Sequence, residues 1–199
     1  MIAVVSGYRR SGTSCMMKAL SAGLAHEEWP LLYQEAQEDL NKPKDGYSPN
    51  PGNLYEIGRG FYIDAVFLRA MPDKSIVKIL YDGLTNLPKG EYVVIWMDRD
   101  PKEILDSVTK SDAHLREMGV RENKPSPFTF DVFRPYKRED LDHVKGIMEV
   151  REDIQLVTVN FKDLIEDPRR EFTRISEYLP IDVVKASEVV RPEYYRSRL

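Results

Sequence analysis

The chain has one cysteine, Cys15, in 199 residues, so no disulfide can form within it, and nothing in its cysteine usage points to an oxidising compartment. No apolar run approaches the roughly 20 residues that a bilayer-spanning helix needs. An excess of positive charge is also missing. The formal net charge is −4, which argues against generic nucleic-acid binding while leaving room for local basic sites. The first residues run directly into an apolar segment without a basic stretch before it, so no secretory leader is read there and a cytoplasmic location is expected. What remains is 42% hydrophobic and 31% charged, the balance of an ordinary globular chain long enough to bury a core, and a single domain over 1–199 is expected.

The rest of the chain is organised around Val4-Val5-Ser6-Gly7-Tyr8-Arg9-Arg10-Ser11-Gly12-Thr13-Ser14. A short apolar run suited to a buried strand leads into a polar turn with two glycines and two arginines. Met16, Met17, Ala19, Leu20 and Leu24 then recur at helical spacing. Strand, glycine-bearing turn and helix together form a phosphate cradle, because backbone N–H groups and the positive helix end converge on an anion. Gly7-x-x-x-x-Gly12 has the spacing of a P-loop, but Thr13 stands where the P-loop lysine would be. The cation is displaced to Arg10, while Arg9 reads as solvent-facing.

Beyond the first helix, 31–40 suits a short helix, 41–53 is a Pro- and Gly-rich loop, and 58–71 suits another helix. Residues 75–80 and 92–97 read as strands, the second continuous and apolar as parallel strands covered on both faces are. Pro101 opens a helix extending to about Gly119, with Ile104, Leu105, Val108, Leu115 and Met118 as its buried face. Residues 122–136 form a connection, 138–151 a helix, 155–160 a strand, 168–179 a helix and 183–190 a closing helix. Strands alternate with helices throughout, so the fold class is three-layer α/β/α on a mainly parallel sheet.

Two phosphate chemistries compete for this cradle. A kinase or nucleotide hydrolase would use Asp98, at the end of an apolar strand, to hold Mg²⁺, but the lysine that such a loop needs is absent. Arg10-Ser11-Gly12-Thr13-Ser14 instead resembles the 5′-phosphosulfate loop of the P-loop sulfotransferases. Arg99-x-Pro101-x-Glu103-Ile104-Leu105-x-Ser107 is similar to that family's 3′-phosphate motif. Phe161-Lys162-Asp163-Leu164 with Asp167-Pro168 is similar to its late "Tyr-Glu-Asp-Leu…Asp-Pro" segment. The matches stand in the family's order over most of the chain. The likeness is nearer to short bacterial proteins of the superfamily, through Leu54-Tyr55-Glu56 and Tyr195-Arg196-x-Arg198.

The resemblance implies a P-loop-type fold and transfer of a sulfuryl group from 3′-phosphoadenosine 5′-phosphosulfate (PAPS) to a hydroxyl or amine without a metal. The acceptor is open: a small molecule, a carbohydrate, a lipid or a peptide hydroxyl. It implies that Arg10, Ser11, Gly12, Thr13 and Ser14 hold the phosphosulfate, and that Arg99 and Ser107 hold the 3′-phosphate. Lys78 falls where the family has a lysine on the transferring group, although an edge or solvent-facing lysine is the alternative. Leu80 stands where cytosolic members carry their catalytic histidine, so the base must lie elsewhere. Glu56 is the first candidate and Asp82 the second, each also compatible with a solvated carboxylate. Tail residues Arg191, Arg196 and Arg198 either reach the 3′-phosphate or belong to a solvated terminus. Trp29, Trp96 and Cys15 read as core, and His26, His114 and His143 as packing or surface residues. A relative that keeps the fold and binds a partner without catalysis is the third reading.

Overall fold

The computed structural model describes residues 1–25, 28–29, 69–117 and 138–192. The expected segments at 31–40, 41–53 and 122–136, and most of 58–71, lie outside the described residues. The sheet consists of β1 (Ile2–Gly7), β2 (Ile76–Lys78), β3 (Tyr92–Asp98) and β4 (Ile154–Asn160). All pairings are parallel and the spatial order is β2-β1-β3-β4. β1 pairs with β3 from Ile2↔Tyr92 to Gly7↔Met97, and β3 pairs with β4 from Tyr92↔Ile154 to Asp98↔Asn160. Because β2 lies on one side of β1 while β3 and β4 lie on the other, the connections diverge between β1 and β3. In open parallel sheets the crevice beyond the strand ends at such a point is where ligands bind.

The helices are α1 (Thr13–Gly23), α2 (Tyr81–Leu84), α3 (Pro101–Glu117), α4 (Arg138–Glu149), α5 (Phe161–Glu166), α6 (Pro168–Ile175) and α7 (Val183–Val189). They cover both faces of the sheet, which is why all six β1 residues are buried. Ala3 and Val5 point into a core shared with Met16 and Leu20 of α1, Phe161 of α5, Phe172 of α6 and Ala186 of α7. Ile2 and Val4 point the other way, toward Leu84 of α2, Ile104 of α3 and Leu141 and Met148 of α4. Each fully buried large apolar side chain here contributes about 1.5–3 kcal/mol relative to exposure. Trp29 and Trp96 are core residues, at 2% and 4% exposure, as expected. The three-layer α/β/α architecture on a parallel sheet is thus the observed one.

Local differences from the sequence expectation have visible causes. The second strand is shorter than 75–80: Ile79 still donates its N–H to Val5, at 3.0 Å, but Leu80 then leaves the sheet as the residue capping α2. The helix expected over 168–179 stops at Ile175. Ser176 Oγ donates to the Thr173 carbonyl at 2.6 Å, and a tighter turn (Tyr178 N–H to Ile175 O, 3.0 Å) carries Leu179 into the core. Leu105 was expected to be buried and is 48% exposed. The inward face of α3 runs through Glu103, Ile104, Ser107 and Val108, because Glu103 is turned in toward a charged partner, and that rotation carries Leu105 outward.

The base of the sheet is tied down by one ion pair. Arg151 donates to both carboxylate oxygens of Asp153, at 2.9 and 2.6 Å, and to the carbonyls of Leu87 and Pro88; Asp153 also accepts the Gly90 N–H at 2.9 Å. This fastens the segment before β3 to the start of β4. The guanidinium hydrogen bonds, helped by the Gly90 N–H, hold the Asp153 carboxyl well below the usual carboxylate range.

Candidate active site

β1 ends at Gly7 with φ +137°, and a Cβ there would lie 2.4 Å from the Met97 carbonyl of β3. The strand can therefore turn outward this close to its neighbour only as glycine. The turn is then pinned by Ser11, whose N–H and Oγ both donate to the Tyr8 carbonyl, at 3.2 and 2.7 Å. Arg10 adopts φ +67°, a left-handed conformation that costs a side-chain-bearing residue about 1–2 kcal/mol. Gly12, at φ +99°, starts α1.

The N-terminus of α1 differs from those of α5, α6 and α7. Asn160, Asp167 and Asp182 cap those three through side-chain oxygens. α1 has no side-chain cap and no acidic residue in its first turn. The positive end of α1 therefore carries no compensating carboxylate in its first turn, an arrangement that suits an anion. Thr13 is buried in that first turn and Ser14 half-buried beside it.

The two motifs seen in the sequence meet here. Arg99, immediately beyond β3, is buried and donates from Nη1 to the Arg10 carbonyl at 2.9 Å. Its Nε donates to Glu103 Oε2 at 3.1 Å, one helical turn into α3, and its guanidinium carbon lies 4.7 Å from the centroid of the Phe161 ring. Arg10 in turn donates from Nε to Ser107 Oγ at 3.2 Å. Arg10, Arg99 and Ser107 therefore form one connected group across the β1–β3 divergence. The adjoining cleft is lined by Tyr8, Ser11, Asp98, Arg99, Arg138 and Lys145.

Lys78 is 3% exposed, which excludes the solvent-facing alternative. It pairs in register with Val5 on an edge strand among the described residues, so its side chain shares the α1 face of the sheet. Asp82 is half-buried on α2, next to Tyr81, whose ring lies 5.6 Å from that of Tyr8. Burial, with Asp82 and Asp140 adding to it against an opposing Arg9, raises the Tyr81 hydroxyl above its ordinary pKa. Burial likewise pushes the Cys15 thiol up to about 12, so it is an inert core group.

Glu56, Arg196, Arg198 and His26 lie outside the described residues, as does the side chain of His114; His143 is exposed. Arg191 lines a surface groove with Ala22 and Lys185, nine residues from Thr13 along α1, or roughly 14 Å at 1.5 Å per residue. That position is at the far end of α1 from the cradle.

The sequence reading had no site role for Glu103 or Phe161. Glu103 was detectable as the residue four positions after Arg99 on a helix face. Phe161 was marked as the first residue of the Phe161-Lys162-Asp163-Leu164 segment, but nothing in that segment showed that its ring meets Arg99.

A family model described as "Sulfotransferase domain" matches residues 3–197. No curated protein matches the chain. Among solved structures, the fold is similar to that of mouse sulfotransferase SULT7A1 complexed with PAP, with a TM-score of 0.52 at 13% identity over 100% of this chain and 66% of that one. Retinol dehydratase in complex with androsterone and the inactive cofactor PAP aligns at a TM-score of 0.49 and 16% identity, over 98% and 64% of the two chains. This chain thus spans just under two thirds of the length of these structures.

Proposed function

The chain belongs to the sulfotransferase domain family, and from that premise we propose that it is a PAPS-dependent sulfotransferase acting through one domain over 1–199. The observation that carries this reading is the direct linkage of the two phosphate motifs, Arg99 to the Arg10 carbonyl and Arg10 to Ser107. A nucleoside bearing phosphates at both its 5′ and 3′ positions needs two anion sites at a fixed separation, and a direct linkage between the two motifs supports that reading. The uncapped, acid-free start of α1 fits the 5′ end, and PAP in the fold neighbour has the chemistry of the spent cofactor.

In this assignment Arg10, Ser11, Gly12, Thr13 and Ser14 hold the 5′-phosphosulfate, and Arg99 and Ser107 hold the 3′-phosphate, with Arg196 and Arg198 from the tail. PAPS supplies the activated sulfuryl group. Transfer breaks the bond from sulfur to the 5′-phosphate oxygen, forms a bond from sulfur to the acceptor oxygen or nitrogen, and releases one proton. Arg10 and the α1 N–H groups stabilise charge on the leaving oxygen, Lys78 steadies the sulfuryl group, and Glu56 takes the proton. The acceptor is a small molecule, a carbohydrate or a lipid bearing a hydroxyl or amine. Among the described residues no helix is long and apolar enough to cross a membrane. The single cysteine of the chain fits a reducing compartment, and we place the reaction in the cytoplasm.

Calorimetric titration and thermal shift with adenosine 3′,5′-bisphosphate, without metal, test this directly. Binding that falls at least tenfold in both Arg10→Ala and Arg99→Ala is expected. Stabilisation by ATP with Mg²⁺ and not by the bisphosphate would overturn the assignment in favour of a kinase-like site built on Asp98.

A further inference from the structure

We propose that Phe161 is a positioning residue that sets the spacing between the two phosphate subsites, a role that rests on the cofactor reading above. The ring is placed by topology. Asp98 of β3 and Asn160 of β4 are register partners, so the residues that follow them, Arg99 and Phe161, leave the sheet side by side. Asn160 caps α5 by accepting the Lys162 N–H at 2.9 Å, which fixes the direction in which Phe161 departs. At 2% exposure the ring is enclosed by protein and acts through its neighbours.

Those neighbours are one element of each motif. The Arg99 guanidinium sits 4.7 Å from the ring centroid, and a Cβ built on Gly12 would fall 2.2 Å from Cδ2 and 2.7 Å from Cε2. A single rigid ring is thus wedged between the glycine that opens the α1 cradle and the arginine assigned to the 3′-phosphate. The aromatic ring attracts the desolvated cation and holds the guanidinium plane. Its flatness also matters, because no side chain with branching can pass this close to Gly12 without moving it. A tyrosine at this place would retain both properties. Phe161 therefore couples two sites that lie on elements far apart in sequence.

The test is nucleotide affinity by calorimetry on the full chain and its Phe161→Leu, Phe161→Met and Phe161→Tyr variants, using adenosine 3′,5′-bisphosphate and AMP. The ratio of the AMP Kd to the bisphosphate Kd measures what the 3′-phosphate contributes. The ratio is expected to shrink roughly tenfold in Phe161→Leu and Phe161→Met, the scale of a desolvated cation–π contact, and to be retained in Phe161→Tyr. A merely structural ring would lower Tm and weaken both nucleotides alike, leaving the ratio unchanged, and that result overturns the proposal while the cofactor reading stands. Wild-type protein that binds neither nucleotide removes the cofactor reading and this proposal with it. One arm needs no folded variant. In the wild-type protein the Arg99 Nε–H resonance should show a ring-current shift, and an unshifted resonance refutes the geometry.

Discussion

Arg99 and Glu103 form a buried pair, with side chains 6% and 11% exposed, whose structural and ligand roles can be separated. Replacing Arg99 with alanine takes the Arg99 cation away from the buried Glu103 carboxylate, and breaking a buried pair in this way costs about 3–5 kcal/mol. It also removes the donor to the Arg10 carbonyl, a further loss of about 1 kcal/mol. For a chain of this size each kcal/mol shifts Tm by about 2–4 °C, so Arg99→Ala should unfold roughly 8–24 °C below the parent. The double variant Arg99→Met/Glu103→Leu replaces the pair with apolar groups of similar reach and leaves no orphaned charge. It should recover most of the loss, keeping a deficit of about 1 kcal/mol from the hydrogen bond that Arg99 no longer donates to the Arg10 carbonyl. Affinity for adenosine 3′,5′-bisphosphate should not recover with it, because no cation remains at that position. Differential scanning calorimetry and titration calorimetry on the same preparations read both quantities. A loss below about 1 kcal/mol in Arg99→Ala would refute the buried-pair reasoning. Restored bisphosphate binding in the double variant would refute the assignment of Arg99 to the 3′-phosphate.

Gly12→Ala combines a left-handed φ of +99° with a Cβ 2.2 Å from the Phe161 ring, so urea unfolding should show a loss of about 3 kcal/mol. Gly146→Ala, inside α4 with nothing within 4 Å of the added Cβ, should instead gain about 0.5–1 kcal/mol. The Asp153 carboxyl is held below its ordinary range by Arg151 and the Gly90 N–H, so its stabilising contribution is present above the unfolded value of about 3.9 and is lost as pH falls through and below it. The gap in urea midpoint between wild type and Asp153→Asn should accordingly be wide at pH 7 and narrow at pH 3; a constant gap would show that the carboxylate's charge is not involved.

The parts of this protein that were legible in its sequence share a physical property: their signal is local. β1 and β3 announce themselves as short uninterrupted apolar runs because both faces of each strand are covered, and Gly7 and Gly12 bracket a turn that only their positive φ allows. Pro101, Asp167-Pro168 and Asp182 mark helix starts through groups that act within one turn. Leu105 was misplaced because helical periodicity counts apolar residues alone, whereas α3 is oriented by a charged residue, Glu103, facing Arg99.

The connections that make the site one object could not be read in the same way. That Arg10 reaches Ser107, 97 positions away, and that Phe161 lies under both Gly12 and Arg99, follow from the order β2-β1-β3-β4 and from the register Asp98↔Asn160, and neither is written in any window of residues. Phe161 shows the difference most sharply. As a residue it is an ordinary apolar start to a short helix, and only the parallel pairing of β3 with β4 sets it beside Arg99. Register therefore contributes to the site as directly as side-chain identity does. A shift of β4 by one residue would move the start of α5 about 3.3 Å along the strand direction and turn Phe161 toward the opposite face of the sheet, away from the guanidinium that now lies 4.7 Å from its ring centroid.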